Sequence, residues 1–328
     1  MKIGLCFDDN SVAFNDMLLG MFTFEEIKRQ KPDCKVFSTT GRKTEDLMDS
    51  DALILGGGSL LGELAIPPFS KIPEWGGGYN GKIYVLGTGY RYYPNYELLQ
   101  KGYERSMKEL FDRAERICLR GKKSLELCEF NNLNTSRVEL LADAVFLADA
   151  TNLNKDNVIG FNVRETYEDQ KVAFGKLIPK LSEAFDFLAQ QENKPVTFLA
   201  AHHEDYNSAE RVIANMRPYA SNIKSGNYLE YYEELSKLSF FCGMRCHTQL
   251  MTGINNAPFI PLEYHFEKMW DALSPLNLED YVLNIEDLNV ENIAKLYEKR
   301  FEFIKRFAEG AKKKKKELQQ FITKILND

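Results

Sequence analysis

Leu53-Ile54-Leu55-Gly56-Gly57-Gly58-Ser59-Leu60-Leu61 runs from a short apolar segment through three glycines into a probable helix start. A strand that feeds a helix through a tight turn reads this way. A continuous apolar run without sustained alternation belongs to a parallel sheet covered on both faces. The same punctuation recurs through the first half. Lys2–Phe7, Lys35–Ser38, Ala52–Leu55, Lys82–Leu86, Arg116–Leu119 and Val138–Leu141 are expected strands. Val12–Gln30 is an expected helix, with Met17, Met21, Phe24 and Ile27 spaced three to four apart as its apolar face. Tyr96–Arg113 and Lys122–Phe130 are expected helices too.

A second series follows the polar stretch Asp149–Asp156, the best linker candidate. Asn157–Val163, Pro195–Ala200, Ile223–Ser225, Ser239–Cys242 and Pro258–Leu262 read as strands. Gln170–Gln191, Tyr206–Met216, Tyr228–Lys237, Cys246–Asn255 and His265–Leu273 read as helices between them. The fold class is therefore α/β, with two Rossmann-like parallel-sheet domains facing a cleft, residues 1–150 and 157–285, and a helical tail over 289–328. Open parallel sheets bind ligands at the carboxyl ends of their strands, so the cleft is where chemistry belongs.

The length of 328 residues fits two domains, and 44% hydrophobic with 27% charged residues is an ordinary globular balance. A net charge of −6 opposes a nucleic-acid partner, which needs a broad basic surface. An anionic substrate must instead meet local cations. The start, Met1-Lys2-Ile3-Gly4-Leu5-Cys6-Phe7-Asp8-Asp9, is too short an apolar run for a signal peptide. No segment approaches the roughly 20 apolar residues that span a bilayer. Six cysteines form no CxxC pair, which fits a reduced, cytoplasmic protein.

Several strand ends carry groups suited to chemistry. Gly57, Gly58 and Ser59 let backbone N–H groups approach an anion, or merely make a tight turn; neither dinucleotide nor NTP loop pattern is matched. Gly87-Thr88-Gly89 is a second glycine turn at the same sheet edge. Arg120 ends a strand just before a helix, a place for a bidentate carboxylate or phosphate contact or for an ordinary surface arginine. Phe240-Phe241-Cys242-Gly243-Met244-Arg245-Cys246-His247-Thr248 is the strongest signal. Arg245 can neutralise an anion, and His247 can move a proton near neutral pH. Cys242 belongs in the strand interior, so no metal site is expected there. Glu263, His265 and Lys268 follow the next strand, as site groups or solvated charges. Ala200-Ala201-His202-His203-Glu204-Asp205 can bind a sugar hydroxyl or cap a helix, with Asp205 the expected N-cap.

In ordered blocks these residues resemble the polysaccharide pyruvyl transferases. Gly56-Gly57-Gly58-Ser59-Leu60 is similar to the family's GGGS block, and Gly87-Thr88-Gly89 to its next glycine turn. Arg120 with Ser124, and Ala142-Asp143-Ala144-Val145-Phe146, resemble two further elements. Asn162-Val163-Arg164 resembles the strand opening the second domain. Gly243-Met244-Arg245-Cys246-His247 matches the G-x-R-x-H block, and Tyr264 to Lys268 looks like S-Y-x-x-K. There are departures: Phe14-Asn15-Asp16 keeps an Asp without the family's glycine, Asp143 is followed by Ala144 instead of Pro, and Cys246 replaces a common Leu.

The resemblance implies a GT-B-like pair of domains whose C-terminal helix returns to the first domain. It implies transfer of a pyruvyl group from phosphoenolpyruvate (PEP) to two hydroxyls of one sugar in a cell-surface glycan or lipid-linked precursor, giving a ketal and phosphate. His247 and Arg245 would be catalytic. Arg120, Lys268, Gly57, Gly58, Ser59, Gly87, Gly89, Arg164, His202 and Asp16 would bind substrate, with no cofactor and no metal. The alternatives are a nucleotide-sugar glycosyltransferase of the same architecture and a non-catalytic glycan-binding relative.

One feature runs against the acidic total: Lys312-Lys313-Lys314-Lys315-Lys316. Five consecutive lysines on a helix point all round it, while Phe301, Ile304, Ala308, Ala311, Leu318, Ile322 and Ile325 keep an apolar stripe. The run reads mainly as solvated helix, and secondarily as a weak peripheral contact with the inner face of an anionic membrane.

Overall fold

The computed structural model describes residues 1–7, 14–38, 49–59, 61, 79–90, 103–151, 153–166, 172–217, 220–223, 225–264 and 267–328. Expectations at Leu60, His265 and Phe266, and for the helix segments 12–13, 96–102 and 170–171, lie outside these residues.

The first half forms strands β1 (Lys2–Cys6), β2 (Lys35–Ser38), β3 (Ala52–Gly56), β4 (Lys82–Thr88), β5 (Arg116–Leu119) and β6 (Val138–Leu140). Its described helices are α1 (Phe14–Gln30), α2 (Tyr103–Arg113) and α3 (Lys122–Phe130). The second half forms β7 (Ile159–Asn162), β8 (Val196–Leu199), β9 (Ala220–Ile223), β10 (Phe240–Gly243), β11 (Phe259–Glu263) and the short β12 (Leu283–Asn284). Its helices are α4 (Phe174–Glu192), α5 (His203–Ile213), α6 (Tyr228–Lys237), α7 (Cys246–Ile254) and α8 (Lys268–Leu273), followed by α9 (Val290–Glu298) and α10 (Arg300–Asn327).

The strand orders are β2-β1-β3-β4-β5-β6 and β12-β11-β10-β7-β8-β9, and every pairing is parallel. Buried runs such as Ala-Leu-Ile-Leu-Gly in β3 can form only with cover on both faces. Each sheet reverses its order once, between β1 and β3 and between β7 and β10. Ligands bind outside the strand ends at such switch points.

One apolar core runs through both halves, joining Leu18 and Phe22 of α1 to Tyr231, Leu250 and the α10 residues Phe303, Phe307 and Ile322. Phe161, Phe185 and Phe198 anchor a second core within the second half. Helix α10 is about 42 Å long. Phe303 and Phe307 pack on Phe259 of the second half. Further along, Lys324 meets Glu139, and Lys31, just after α1, donates to the Leu326 carbonyl.

Five expectations need correction. The strand expected at Ile223–Ser225 is β9, Ala220–Ile223, a polar segment set by its pairing with Val196–Leu199 and carrying no apolar run of its own. Helix α1 buries Leu18, Leu19, Phe22 and Ile27, whereas Phe24 is exposed and Met17 and Met21 are half-buried. Apolar residues occupy both faces, and the face that meets Tyr232 and α10 wins. Phe301 is exposed, and Phe303 takes its place in the α10 stripe. The lysines do not all face solvent: Lys314 pairs with Glu317 and Lys315 with Asp149. Helix α5 begins three residues early, because His202 is its N-cap and Asp205 only completes the capping box.

Candidate functional site

At the second sheet's switch point, Asn162 ends β7 and turns the neighbouring chain. Its carbonyl accepts from Met244 N (3.1 Å) and its Oδ1 from Arg245 N (2.9 Å). Arg245 then becomes the N-cap of α7 without capping it by its side chain, and His247 falls in the first turn. His247 is buried and points at the first half, where its Nε2 lies 3.2 Å from Asp143 Oδ2.

Asp143 follows β6 and caps the 3₁₀ turn Ala144–Leu147 by accepting from Val145 N (3.0 Å). Burial pushes this carboxyl toward its neutral form. His247 and Arg120, with the hydrogen bonds from His247 and Val145, outweigh that and hold it below the usual carboxylate value. A buried carboxylate against an imidazole fixes the ring's orientation and tautomer.

Arg120 is 1% exposed, and its guanidinium is heavily engaged. Nε donates to Asp271 Oδ2 (2.9 Å), Nη1 to Gly58 O and Ser59 Oγ (both 3.2 Å), and Nη2 to Tyr90 O (3.5 Å). Nη1 also lies 3.8 Å from Asp143 Oδ2. The glycines make this possible. Gly57 and Gly58 take successive positive φ values, 75° and 62°, which turn the chain beneath the guanidinium. A Cβ at Gly89 would lie 2.1 Å from Arg120 Nε. Gly89 N bonds Gly58 O (3.0 Å), tying the two turns together. Gly87 sits in the irregular end of β4 against Ala144, and Asp16 in the first turn of α1 faces Gly58.

Arg245 forms a two-pronged pair with Asp205, Nη2 to Oδ1 at 2.6 Å and Nε to Oδ2 at 3.0 Å. Burial works against its charge, but Asp205 dominates and keeps the guanidinium firmly protonated. The same carboxylate accepts from His202 N (3.1 Å). Arg164 donates from Nη1 to the Tyr264 hydroxyl (2.7 Å). Lys268 opens α8, half-buried, where it and Arg120 both bear on Cys246; burial nonetheless pushes that thiol up to about 12, so it stays protonated. No side-chain partner is recorded for Lys268 among the described residues.

The structure thus joins Gly58, Ser59, Gly89, Arg120 and His247 into one buried network across the halves. Arg245 and His202 form a second group at Asp205, linked to the first through residues 245–247. Arg164 borders the second group, bonded to Tyr264, which also bears on Arg245. Sequence reasoning gives no site role to the three carboxylates that organise the cations: Asp143 is only part of the Ala142–Phe146 block, Asp205 only an expected N-cap, and Asp271 is not singled out. Asp143 and Asp271 were detectable as lone acids inside the apolar runs Leu140–Leu147 and Met269–Leu273. Asn15, which donates to Thr248 Oγ1 (3.3 Å) across the same interface, had no sequence signal.

His202, His203 and Glu204 bring metal-ligand atoms within 4.8 Å of one another. His202 Nδ1 is already accepting from Glu204 N (3.2 Å), and the charge of Arg245 bears on it. The positive end of α5 opposes a cation further, so no metal role is assigned.

Parallel sheets with switch-point ends turned on one interface define a GT-B-like, two-domain α/β protein. Solved structures bear this out. UDP-GlcNAc 2-epimerase from Neisseria meningitidis, bound to UDP-GlcNAc, is 12% identical, with 100% of both chains covered and a TM-score of 0.58. Staphylococcus aureus MnaA with UDP is 11% identical over 94% of this chain and 90% of that one, TM-score 0.57. The epimerase of Methanocaldococcus jannaschii is 10% identical over 92% of each chain, TM-score 0.54. These likenesses establish the fold alone. No curated protein matches the sequence. The family model described as polysaccharide pyruvyl transferase matches residues 15–265, and the chain belongs to that family.

Proposed function

We propose that the protein transfers the pyruvyl group of PEP to two hydroxyls of one sugar in a cell-surface glycan or its lipid-linked precursor, forming a cyclic ketal and releasing phosphate. The observation that carries this reading is the His247–Asp143 pair, buried beside Arg120 at the switch-point ends of both sheets.

The chemistry follows from the tautomer. With Nε2–H directed at Asp143, Nδ1 is the nitrogen left to exchange protons. Protonated His247 delivers its Nδ1 proton to the PEP methylene carbon, making a methyl group and an electron-poor C2. A sugar hydroxyl attacks C2, and neutral Nδ1 accepts its proton, restoring the imidazolium. Phosphate departs, the second hydroxyl closes the ring, and its proton leaves with the phosphate. Lys268 and the uncapped amides at the start of α7 offset the charge of PEP. Arg245, held by Asp205, supplies a fixed positive field. A positioned acid–base group contributes on the order of 10²–10⁴ in rate.

Among the described residues no helix is long and apolar enough to cross a membrane. Lys312, Lys313 and Lys316 are exposed on α10 and support a peripheral contact with the cytoplasmic face of an anionic membrane.

The test is phosphate release from PEP over a panel of glycan acceptors, run beside nucleotide release from UDP- and GDP-sugars. PEP-dependent phosphate with a ketal product is expected. Nucleotide release without PEP turnover would replace this reading with a glycosyltransferase.

A further inference from the structure

We propose that Asn15 determines which sugar the protein accepts: the unpartnered end of its side-chain amide, at the seam between the halves, takes a hydroxyl of the acceptor beside the His247 turn. That the ligand is a glycan rests on the reading above; that the amide lacks a partner does not.

The amide is held at one end only. Asn15 lies in the first turn of α1 and is 5% exposed, and its Nδ2 donates to Thr248 Oγ1 at 3.3 Å. Its Oδ1 is buried and has no hydrogen-bond partner. Leaving a buried polar atom unpaired costs roughly 1–3 kcal/mol, and native structures keep few of them. Turning the amide over changes only which of its two atoms is orphaned.

The surroundings are too well fixed to repair this. Phe14 N donates to the Ala201 carbonyl (3.0 Å), and the Phe14 ring rests on Tyr231 with centroids 5.7 Å apart, so the head of α1 is pinned to the second half. Thr248 Oγ1 in turn lies 2.6 Å from the hydroxyl of fully buried Tyr231. Thr248 serves one end of the amide and has no second group to offer the other.

The position matches an acceptor. Thr248 follows His247 in the first turn of α7. Asp16, next to Asn15, approaches the Gly58 turn, where a Cβ would lie 3.3 Å from Asp16 Oδ1, and the Gly58 carbonyl accepts from Arg120. Asn15 thus stands between the turn that carries the imidazole and the turn beneath Arg120. The groups assigned to PEP, Lys268 and the uncapped head of α7, are donors, as a phosphate and a carboxylate require. An orphaned carbonyl oxygen repels both anions and needs a proton donor. A sugar hydroxyl supplies one, and it can equally accept from Nδ2 if the amide is turned. A site with such a buried group discriminates strongly against a ligand that lacks the matching hydroxyl, because the group is then left unpaired.

The test is binding of methyl hexopyranosides and their monodeoxy analogues to the full chain, followed by saturation-transfer NMR in the absence of PEP. The hexoside that binds best should lose about fivefold in affinity when one particular hydroxyl is removed, as loss of one hydrogen bond does. Asn15→Leu keeps the branched shape without hydrogen bonding. It should bind the parent about fivefold more weakly and that deoxy analogue as well as it binds the parent. Asn15→Ala asks the same question if the leucine does not fit. A residue kept for structure alone predicts reduced stability with the preference for the parent intact. That result in a folded variant, or a wild-type protein that binds none of the hexosides, would overturn the proposal. In wild-type crystals soaked with the parent, a sugar hydroxyl should lie within hydrogen-bond distance of the Asn15 amide, and an ordered water that keeps that place would overturn it as well. If hexoside binding depends on Asn15 while no acceptor releases phosphate from PEP, the Asn15 assignment stands and the PEP reading falls.

Discussion

Asp143 of the first half and His247 of the second meet across the interface, with 3.2 Å between Oδ2 and Nε2. Neither half holds an oriented acid–base group alone. Asp143→Asn keeps the size but presents an amide that can donate where the carboxylate only accepts. The tautomer preference is then lost. PEP-dependent phosphate release should fall at least about 100-fold in kcat with little change in KM. A kcat within a few-fold of wild type would remove Asp143 from the mechanism.

The cations separate by how they are held. Arg245 is locked to buried Asp205, so Arg245→Ala strands a carboxylate and should lower stability by roughly 3–5 kcal/mol. Lys268 has no such partner among the described residues. Lys268→Ala should leave thermal unfolding close to wild type while raising the KM for PEP about tenfold, as loss of one binding contact does. Calorimetric melting and initial-rate kinetics on both variants distinguish a structural from a substrate-facing cation. Equal destabilisation by both would contradict the assignment.

The same distinction explains what was legible in the sequence. Most strand positions followed from short apolar runs, and β2 and β5 match the expected Lys35–Ser38 and Arg116–Leu119 residue for residue, whereas the polar β9 starts three residues before the expected Ile223. The phase of α1 did not follow, because its apolar residues cover two faces and only tertiary packing on Tyr232 and α10 chooses between them. Arg245 and His247 stood out because polar groups at a strand–helix switch break an apolar pattern. Their carboxylate partners lie 40 and 104 residues away along the chain. Local spacing carries no trace of such pairings: Arg245 meets Asp205 only when α5 and α7 assemble on the second sheet, and His247 meets Asp143 only when the two halves come together. The two-residue β12 is too short to leave a periodic signal.

His202 adds a pH dependence. Its Nδ1 caps α5 by accepting from Glu204 N, which only the neutral ring can do. Burial, then the charges of Arg245 and His203, press its pKa below the ordinary 6.5, although Asp205 and Glu204 pull the other way. The unfolded chain therefore binds the proton more readily. The stabilisation is fully present above the unfolded value and is lost as pH falls through the folded one. His202→Asn caps without titrating. Denaturant unfolding from pH 7.5 to 5 should show wild type losing about 1 kcal/mol relative to the variant. Parallel curves would show that the cap does not titrate.

The lysine run divides by its partners. Lys315 donates to the Ala148 carbonyl (3.0 Å) and pairs with Asp149, while Lys314 turns to Glu317, so both serve packing. Lys312, Lys313 and Lys316 are exposed, and Lys313 only leans on Glu317 at 3.9 Å. Exposed Lys305 and Arg306 lie on the same helix, interspersed with exposed Glu302 and Glu309. At about 1 kcal/mol per lysine near an anionic surface, neutralising three should weaken membrane association by two orders of magnitude or so. Co-sedimentation with phosphatidylglycerol vesicles should fail for the Lys312→Gln, Lys313→Gln, Lys316→Gln triple variant and in high salt, and neutral phosphatidylcholine should bind neither protein. Sedimentation unchanged by the triple variant would leave these lysines as solvated helix surface. The inward pair gives the control: Lys315→Gln should lower the melting temperature without altering vesicle binding.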